Sequence, residues 1–248
     1  MHVREEVFQD LPAVDSVLAV CAHPDDESFG LGAVLSAFAE RDVRTSVLCL
    51  THGEASTLGA DMGDLHVIRE RELGSAAAAL GVGGVRLLEF GDGRVAETPI
   101  GELCAEVRLA VEREGADLLL VFDEGGITGH SDHMRATDAA RAVGREDALP
   151  VLAWTLAAEV ADQLSTEFPV EFVGRGSDAI HLSIEVDRTR QHQAIHCHAS
   201  QAIENPVLWR RLELQGDREV LRWLDPAERV ARCESRGAGN REPASPAR

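Results

Sequence analysis

The sequence predicts an α/β fold, with helices packed on both sides of a mostly parallel sheet. Two observations predict it. Short, almost continuously apolar runs recur along the chain, as expected of strands buried on both faces. Between them lie stretches with helical periodicity and glycine stops. Alternation of strand and helix implies right-handed crossovers and a Rossmann-like three-layer αβα sandwich.

The apolar runs are SVLAVCA (16–22), VRTSVLCL (43–50), VRLLEF (85–90), DLLLVF (117–122) and VLAWTL (151–156). The helical stretches are 32–41, 65–80 closed by Gly81, 102–114 closed by Gly115, and 131–143 closed by Gly144. The last third is less regular. There 180–186 reads as a strand, 189–200 as a helix and 219–223 as a short strand. We expect one domain over 1–232. The segment 233–248, CESRGAGNREPASPAR, has the composition of a disordered tail.

The chain has 248 residues, 44% of them hydrophobic, so a sizeable core can form. Aromatics are 4% and tyrosine is absent, which makes the core aliphatic and excludes any catalytic phenol. A formal charge of −19 argues against nucleic acid as a partner. The five cysteines are widely spaced and contain no Cys-x-x-Cys, so they form neither a disulfide framework nor a thiolate zinc site. No apolar run approaches the roughly 18–20 residues of a membrane span. The start, MHVREEVFQD, lacks the pattern of a signal peptide. A cytoplasmic protein is the expectation, and a homo-oligomer is compatible with the sequence.

In such sheets ligands bind beyond the carboxyl ends of the strands. Two loops there carry chemistry. The first, CAHPDDES, sets Asp25, Asp26 and Glu27 in a row behind an apolar strand. Adjacent carboxylates repel, so something positive belongs beside them. His23 and Asp26 are good zinc ligands. Asp25, between them, should point elsewhere, where it could act as general base on an activated water. A plainer reading makes these acids a helix cap. A dinucleotide loop is set aside because the third glycine is missing and acids stand where a pyrophosphate would approach.

The second loop, DEGGITGHSDHMRAT (123–137), holds His130 and His133 three apart at a helix start. Either histidine would complete a His/Asp/His set with an open fourth position, leaving the other to stabilise charge on a substrate oxygen. Taken alone, the pair could be two surface histidines. Both clusters together, at one sheet edge, supply a full ligand set.

At these residues the sequence resembles the LmbE/PIG-L family of zinc-dependent N-deacetylases. AHPDD stands intact at 22–26, and a His-x-x-His after a glycine loop stands at 130–133. Weaker matches are THGE (51–54), Arg69-x-x-Glu72-Leu73 and HASQ (198–201), so the likeness spans roughly 14–202. The resemblance implies that His23, Asp26 and His133 bind zinc, with Asp25 as general base and His130 assisting the oxyanion. It implies removal of an N-acetyl group from a small-molecule amino-sugar (GlcNAc-type) conjugate. Some family members use a tyrosine near the pocket, which this chain lacks.

Other residues carry weaker expectations. Glu54, Arg69, Asp92 and His198 are candidate substrate contacts. For Glu54 the alternative is a solvated loop acid, for Asp92 a turn residue, and for Arg69 an i,i+3 pair with Glu72. His192 and His196 could form a second metal site, but no acid lies beside them. The tryptophans read as packing residues. Ferrous iron suits the same ligands as zinc. Rival functions are an amidase acting on a thiol conjugate or natural-product intermediate, and a metal- or carbohydrate-binding protein without turnover.

Overall fold

A computed structural model of the chain describes residues 7–225. The expected domain therefore runs past the described residues at both ends, and the expected tail 233–248 lies outside them. The strands are β1 (Ser16–Cys21), β2 (Arg44–Thr51), β3 (Gly84–Phe90), β4 (Leu118–Phe122), β5 (Val151–Ala157), β6 (Gly174–Arg175), β7 (Leu182–Glu185) and β8 (Arg218–Leu224). The helices are α1 (Asp26–Phe29), α2 (Gly32–Ala39), α3 (Leu65–Leu80), α4 (Ile100–Glu114), the kinked turn α5 (Gly126–Gly129), α6 (Ser131–Glu146), α7 (Ala158–Glu167), α8 (Thr189–Cys197), α9 (Ala199–Ala202) and α10 (Pro206–Gln215).

The sheet order is β3-β2-β1-β4-β5-β8-β7, with β6 pairing β5 separately. β1 to β5 are parallel, while β8 runs antiparallel to both β5 and β7. Successive residues of the central strands point to opposite layers of the core. Val17, Ala19 and Cys21 join the layer that contains residues of α2 and α3. Leu18, Val20 and Ala22 join the layer under α4 and α6. Both layers are apolar and buried, the first with Phe38, Phe122, Trp154, Phe172 and Trp223 among its aliphatic residues, which explains why these strands read as unbroken apolar runs.

Some expectations need correction. β3 is an edge strand, and Val85 and Glu89 on it are exposed, so it is not buried on both faces. Gly144 does not end its helix, because α6 continues to Glu146; a helical glycine costs only about 1 kcal/mol against alanine. The stretch 189–200 is two helices, broken where His198 leaves helical geometry at ψ 58°. α7 and α10 stand where no helix was expected.

From β1 the chain winds outward through β2 to β3, and from β4 it winds the other way to β5. The switch point therefore lies between β1 and β4, and the two loops with chemistry open there. Among the described residues no helix is long and apolar enough to cross a membrane.

Candidate active site

The first loop is folded around Asp26. Its Oδ2 accepts hydrogen bonds from the backbone N–H groups of Ala22 and His23, each at 2.9 Å. This draws the chain into a tight turn and aims Oδ1 at His133 Nε2, 3.0 Å away. Burial pushes the Asp26 carboxyl up, but His133 and His23 outweigh it and hold the group well below the usual carboxylate range.

His23 Nδ1 and His133 Nε2 face each other at 3.2 Å. The far side of each ring is tethered. His133 Nδ1 lies 3.3 Å from the carbonyl of Gly126, which can only accept, so that nitrogen carries the proton. His23 Nε2 is buried with no well-directed hydrogen bond, yet Asp92 Oδ1 lies 3.0 Å and Asp132 Oδ2 3.4 Å away. Burial disfavours a charged His23, but Asp132, Asp92 and Asp26 outweigh it and raise its pKa to about 10.

The charged His23 that these carboxylates favour carries a second proton on Nδ1; once that proton is displaced, two lone pairs and a carboxylate oxygen converge on one point. That arrangement repels itself unless a cation lies there. His23, Asp26 and His133 thus fit a divalent metal by donor type, tautomer and outer support. His23, His130 and Asp132 also cluster, but Asp132 is engaged elsewhere. Its carboxylate accepts from Gly93 N–H at 2.7 Å and Val95 N–H at 3.2 Å.

Asp25 is not among the clustered atoms; it faces Arg69 on the wall of the same cavity. It sits at φ 129°, a conformation a non-glycine residue rarely adopts. Its N–H donates to Glu27 Oε2 at 2.9 Å, and its Oδ2 accepts from Arg69 Nη2 at 2.9 Å. The side chain keeps 17% exposure and lines a cavity of about 490 Å³ shared with the three candidate ligands. Burial raises the Asp25 carboxyl, Arg69 pulls it down and Asp26 pushes it up, leaving it at about 6.

Arg69 is buried and forms no i,i+3 pair with Glu72. Its guanidinium bonds the carbonyls of Gly53 and Pro24 as well as Asp25. Gly53 is required here: φ is +65°, and a Cβ would collide with the guanidinium. Glu72 instead accepts from Ser200 N–H and Oγ at 2.8 and 2.6 Å.

His130 caps α6, its Nδ1 accepting from Asp132 N–H at 3.3 Å. The proton of the neutral ring is then on Nε2, which makes that atom a donor. Burial and the neighbouring His133 and His23 keep the ring's pKa below the ordinary value. His130 lines the cavity.

The candidate substrate residues divide. Arg69 and Asp92 are on the cavity wall. Both Asp92 oxygens are occupied, one near His23 and the other accepting from Ala55 N–H at 2.9 Å. Glu54 is exposed and accepts from Asp92 N–H at 3.0 Å, so it braces the loop from outside. His198 is fully buried behind the site, 2.6 Å from Glu27 Oε1, and does not reach the cavity. Glu27, whose role the sequence left open, thus links His198 to the backbone of Asp25. His192 and His196 lie against Trp209, with ring centroids 5.9 and 5.6 Å from it, and not in a metal cluster.

Two wall residues had not been anticipated. Trp154 is buried yet borders the cavity. Arg211 lies over its ring at 5.1 Å and bonds the carbonyl of Phe29. Burial lowers the Arg211 pKa to about 10. No motif marked them: Trp154 sits in the apolar run of β5 and reads as packing, and Arg211 comes from the irregular last third.

An imidazole–carboxylate cluster with a second carboxylate beside it, at the switch point of a parallel sheet, marks a class: the α/β enzymes with a metal-fitting site. Comparison with known proteins narrows the class. A family model described as PIG-L: GlcNAc-PI de-N-acetylase matches residues 18–143, a span that holds both site loops. The probable N-acetyl-alpha-D-glucosaminyl L-malate deacetylase 2 of Bacillus anthracis is 30% identical over 223 residues, 84% of this chain and 91% of that protein. The N-acetylglucosaminyl-phosphatidylinositol de-N-acetylase of Bos taurus is 28% identical over 206 residues, 78% of this chain and 76% of that protein. A solved deacetylase from the teicoplanin biosynthesis pathway matches with a TM-score of 0.66 at 19% identity, covering 84% of this chain and 96% of that one, which supports the fold. The chain belongs to the PIG-L (LmbE-like) family of de-N-acetylases.

Proposed function

We propose that this protein is a zinc-dependent hydrolase that removes the N-acetyl group of a GlcNAc-type amino-sugar conjugate. The observation that carries the proposal is the placement of Asp25. It stands beside the His23–Asp26–His133 cluster, opens to the cavity and is aimed by Arg69. A protein that only bound metal would not need a carboxylate held in so strained a conformation.

A cation held by His23, Asp26 and His133 would polarise the acetamide carbonyl and make water a better nucleophile. The chain's own residues supply the rest. Asp25 takes the proton of the attacking water as the C–O bond forms. His130 Nε2–H donates to the oxygen that gains negative charge, the part a phenol plays in relatives with a tyrosine. As the C–N bond breaks, Asp25 returns that proton to the amine nitrogen; the water's other proton stays with the acetyl product, and acetic acid and free amine leave and ionise to acetate and ammonium. Arg69 keeps Asp25 turned towards the cavity throughout.

The relatives named above support an amino-sugar substrate, one acting on a GlcNAc–malate conjugate and one on a GlcNAc–phosphatidylinositol. The test is deacetylation across GlcNAc conjugates, with and without chelator, on samples of measured metal content. Turnover that follows zinc content supports the reading, and turnover that follows iron reassigns the metal. Asp25→Asn should keep the metal and lose roughly 10²–10⁴-fold in kcat. Normal turnover in that variant would remove Asp25 from the role of base.

A further inference from the structure

A second histidine–carboxylate cluster lies outside the site just described. His52 follows β2, His66 is in the first turn of α3, and Glu89 is on the edge strand β3. The two imidazoles are stacked, with centroids 3.4 Å apart and planes 8° from parallel. His52 Nε2 lies 3.2 Å from Glu89 Oε1, and His66 Nε2 lies 3.2 Å from Glu89 Oε2. One carboxylate thus faces the same nitrogen of both rings.

The tautomer of His52 follows from its other side. Its Nδ1 is 3.1 Å from the carbonyl of His66. A carbonyl can only accept, so Nδ1 carries the proton. In a neutral ring Nε2 then presents a lone pair to a carboxylate oxygen. Two acceptors at that distance need a cation between them, either a second proton on the ring or a metal.

We propose that His52, His66 and Glu89 form a second divalent-metal site, of the class that takes nitrogen and oxygen donors, with zinc as the fitting ion. Three ligands of this type leave a fourth position for water. His52 is the fixed ligand, with a side chain only 4% exposed. His66 and Glu89 are 42% and 76% exposed, so both are free to adjust. In the stack, the two ring planes are parallel and cannot both point a lone pair at one ion. Binding therefore turns the exposed His66 ring out of the stack.

The site fastens both ends of one segment. His52 precedes and His66 follows residues 53–64, and Glu89 ties them to the sheet edge. Within that segment Ala55, Ser56 and Leu58 line the cavity. Ser56 Oγ also donates to Gln201 Oε1 at 2.7 Å across it. Occupancy of the second site would hold this rim in place without touching the reacting atoms.

The experiment is metal content after equilibration of the full-length protein with micromolar zinc, together with hydrogen exchange of residues 53–64. Wild type should bind two equivalents. Glu89→Gln and His66→Ala should each bind one, and His133→Ala should also bind one, at the second site. Zinc should slow exchange in 53–64 for wild type and His133→Ala but not for Glu89→Gln. Because Glu89 is so exposed, Glu89→Gln should fold normally, and an unchanged melting curve of the metal-free protein checks this. A single equivalent in wild type that Glu89→Gln retains, or two in Glu89→Gln, overturns the proposal. So does exchange in 53–64 that zinc slows equally in wild type and Glu89→Gln.

Discussion

Among the described residues, two separate places in the fold hold two imidazoles and a carboxylate. His23, Asp26 and His133 lie in the switch-point crevice, while His52, His66 and Glu89 lie at the sheet edge. In the first, each ligand is braced from behind: backbone N–H groups hold Asp26, Gly126 holds His133, and Asp92 and Asp132 stand beside His23. In the second, only His52 is braced from behind, and the carboxylate of Glu89 is largely exposed. The first has Asp25 and His130 on the same cavity, and no such pair accompanies the second. The ligands alone therefore do not make a reaction centre. On the proposed reading the neighbours do, by supplying a base, an oxyanion donor and a cavity.

The largest break in this comparison is His133→Ala. On the proposed reading it removes a metal ligand, and with it the partner that holds Asp26 ionised. We expect loss of the crevice metal and of all measurable turnover, read by metal analysis and assay of one sample. Retained turnover would mean that the open His130 takes over as ligand.

The support behind the crevice comes next. His198 and Glu27 are both fully buried. Removing one partner of a buried pair costs about 3–5 kcal/mol, so His198→Ala should destabilise by that order in denaturant melts. Burial alone would lower the His198 pKa, but Glu27 raises it above the ordinary value. The pair's contribution is thus full below about pH 6.5, the unfolded value, and is lost as pH rises through the folded value. The stability gap between wild type and variant should narrow in that direction. A gap that widens with pH would show that His198 is neutral in the fold.

How far the sequence speaks follows the same division. The crevice was legible because its ligands fall in short loops after unmistakable strands, where spacing alone places them together. The four central strands were legible because both their faces are buried. The braces were not. Asp132 was in view between the two histidines, but nothing local shows that it turns back to Gly93, Val95 and His23. His198 reads as a pocket residue by motif, and only the break between α8 and α9 turns it inward to Glu27. The surface cluster was hidden because His52, His66 and Glu89 are far apart in sequence and meet only when β2 and β3 pair. α10 did carry a local signal, Asn205-Pro206, with the Asn205 side chain capping Leu208 N–H at 3.0 Å.

The bracing itself can be tested one step further out. Asp92→Asn keeps the shape of the side chain but removes the charge beside His23 Nε2. Loss of such outer support typically costs 10–100-fold in metal affinity. We expect a loss of that order at the crevice site, measured by competition with a chromophoric chelator. Unchanged affinity would assign the support of His23 to Asp132 alone.

The smallest effect is expected at the surface cluster, and it sharpens the comparison most. If the second metal only steadies the 53–64 rim, Glu89→Gln removes binding that is equal in ground and transition states. KM should then rise while kcat stays unchanged. The chemistry would proceed as before, because Asp25, His130 and the crevice ligands are untouched. A fall in kcat with KM unchanged would instead place the surface cluster in contact with the reaction, through the one link available to it. That link is Gly53, next to His52, whose carbonyl holds the arginine that aims Asp25.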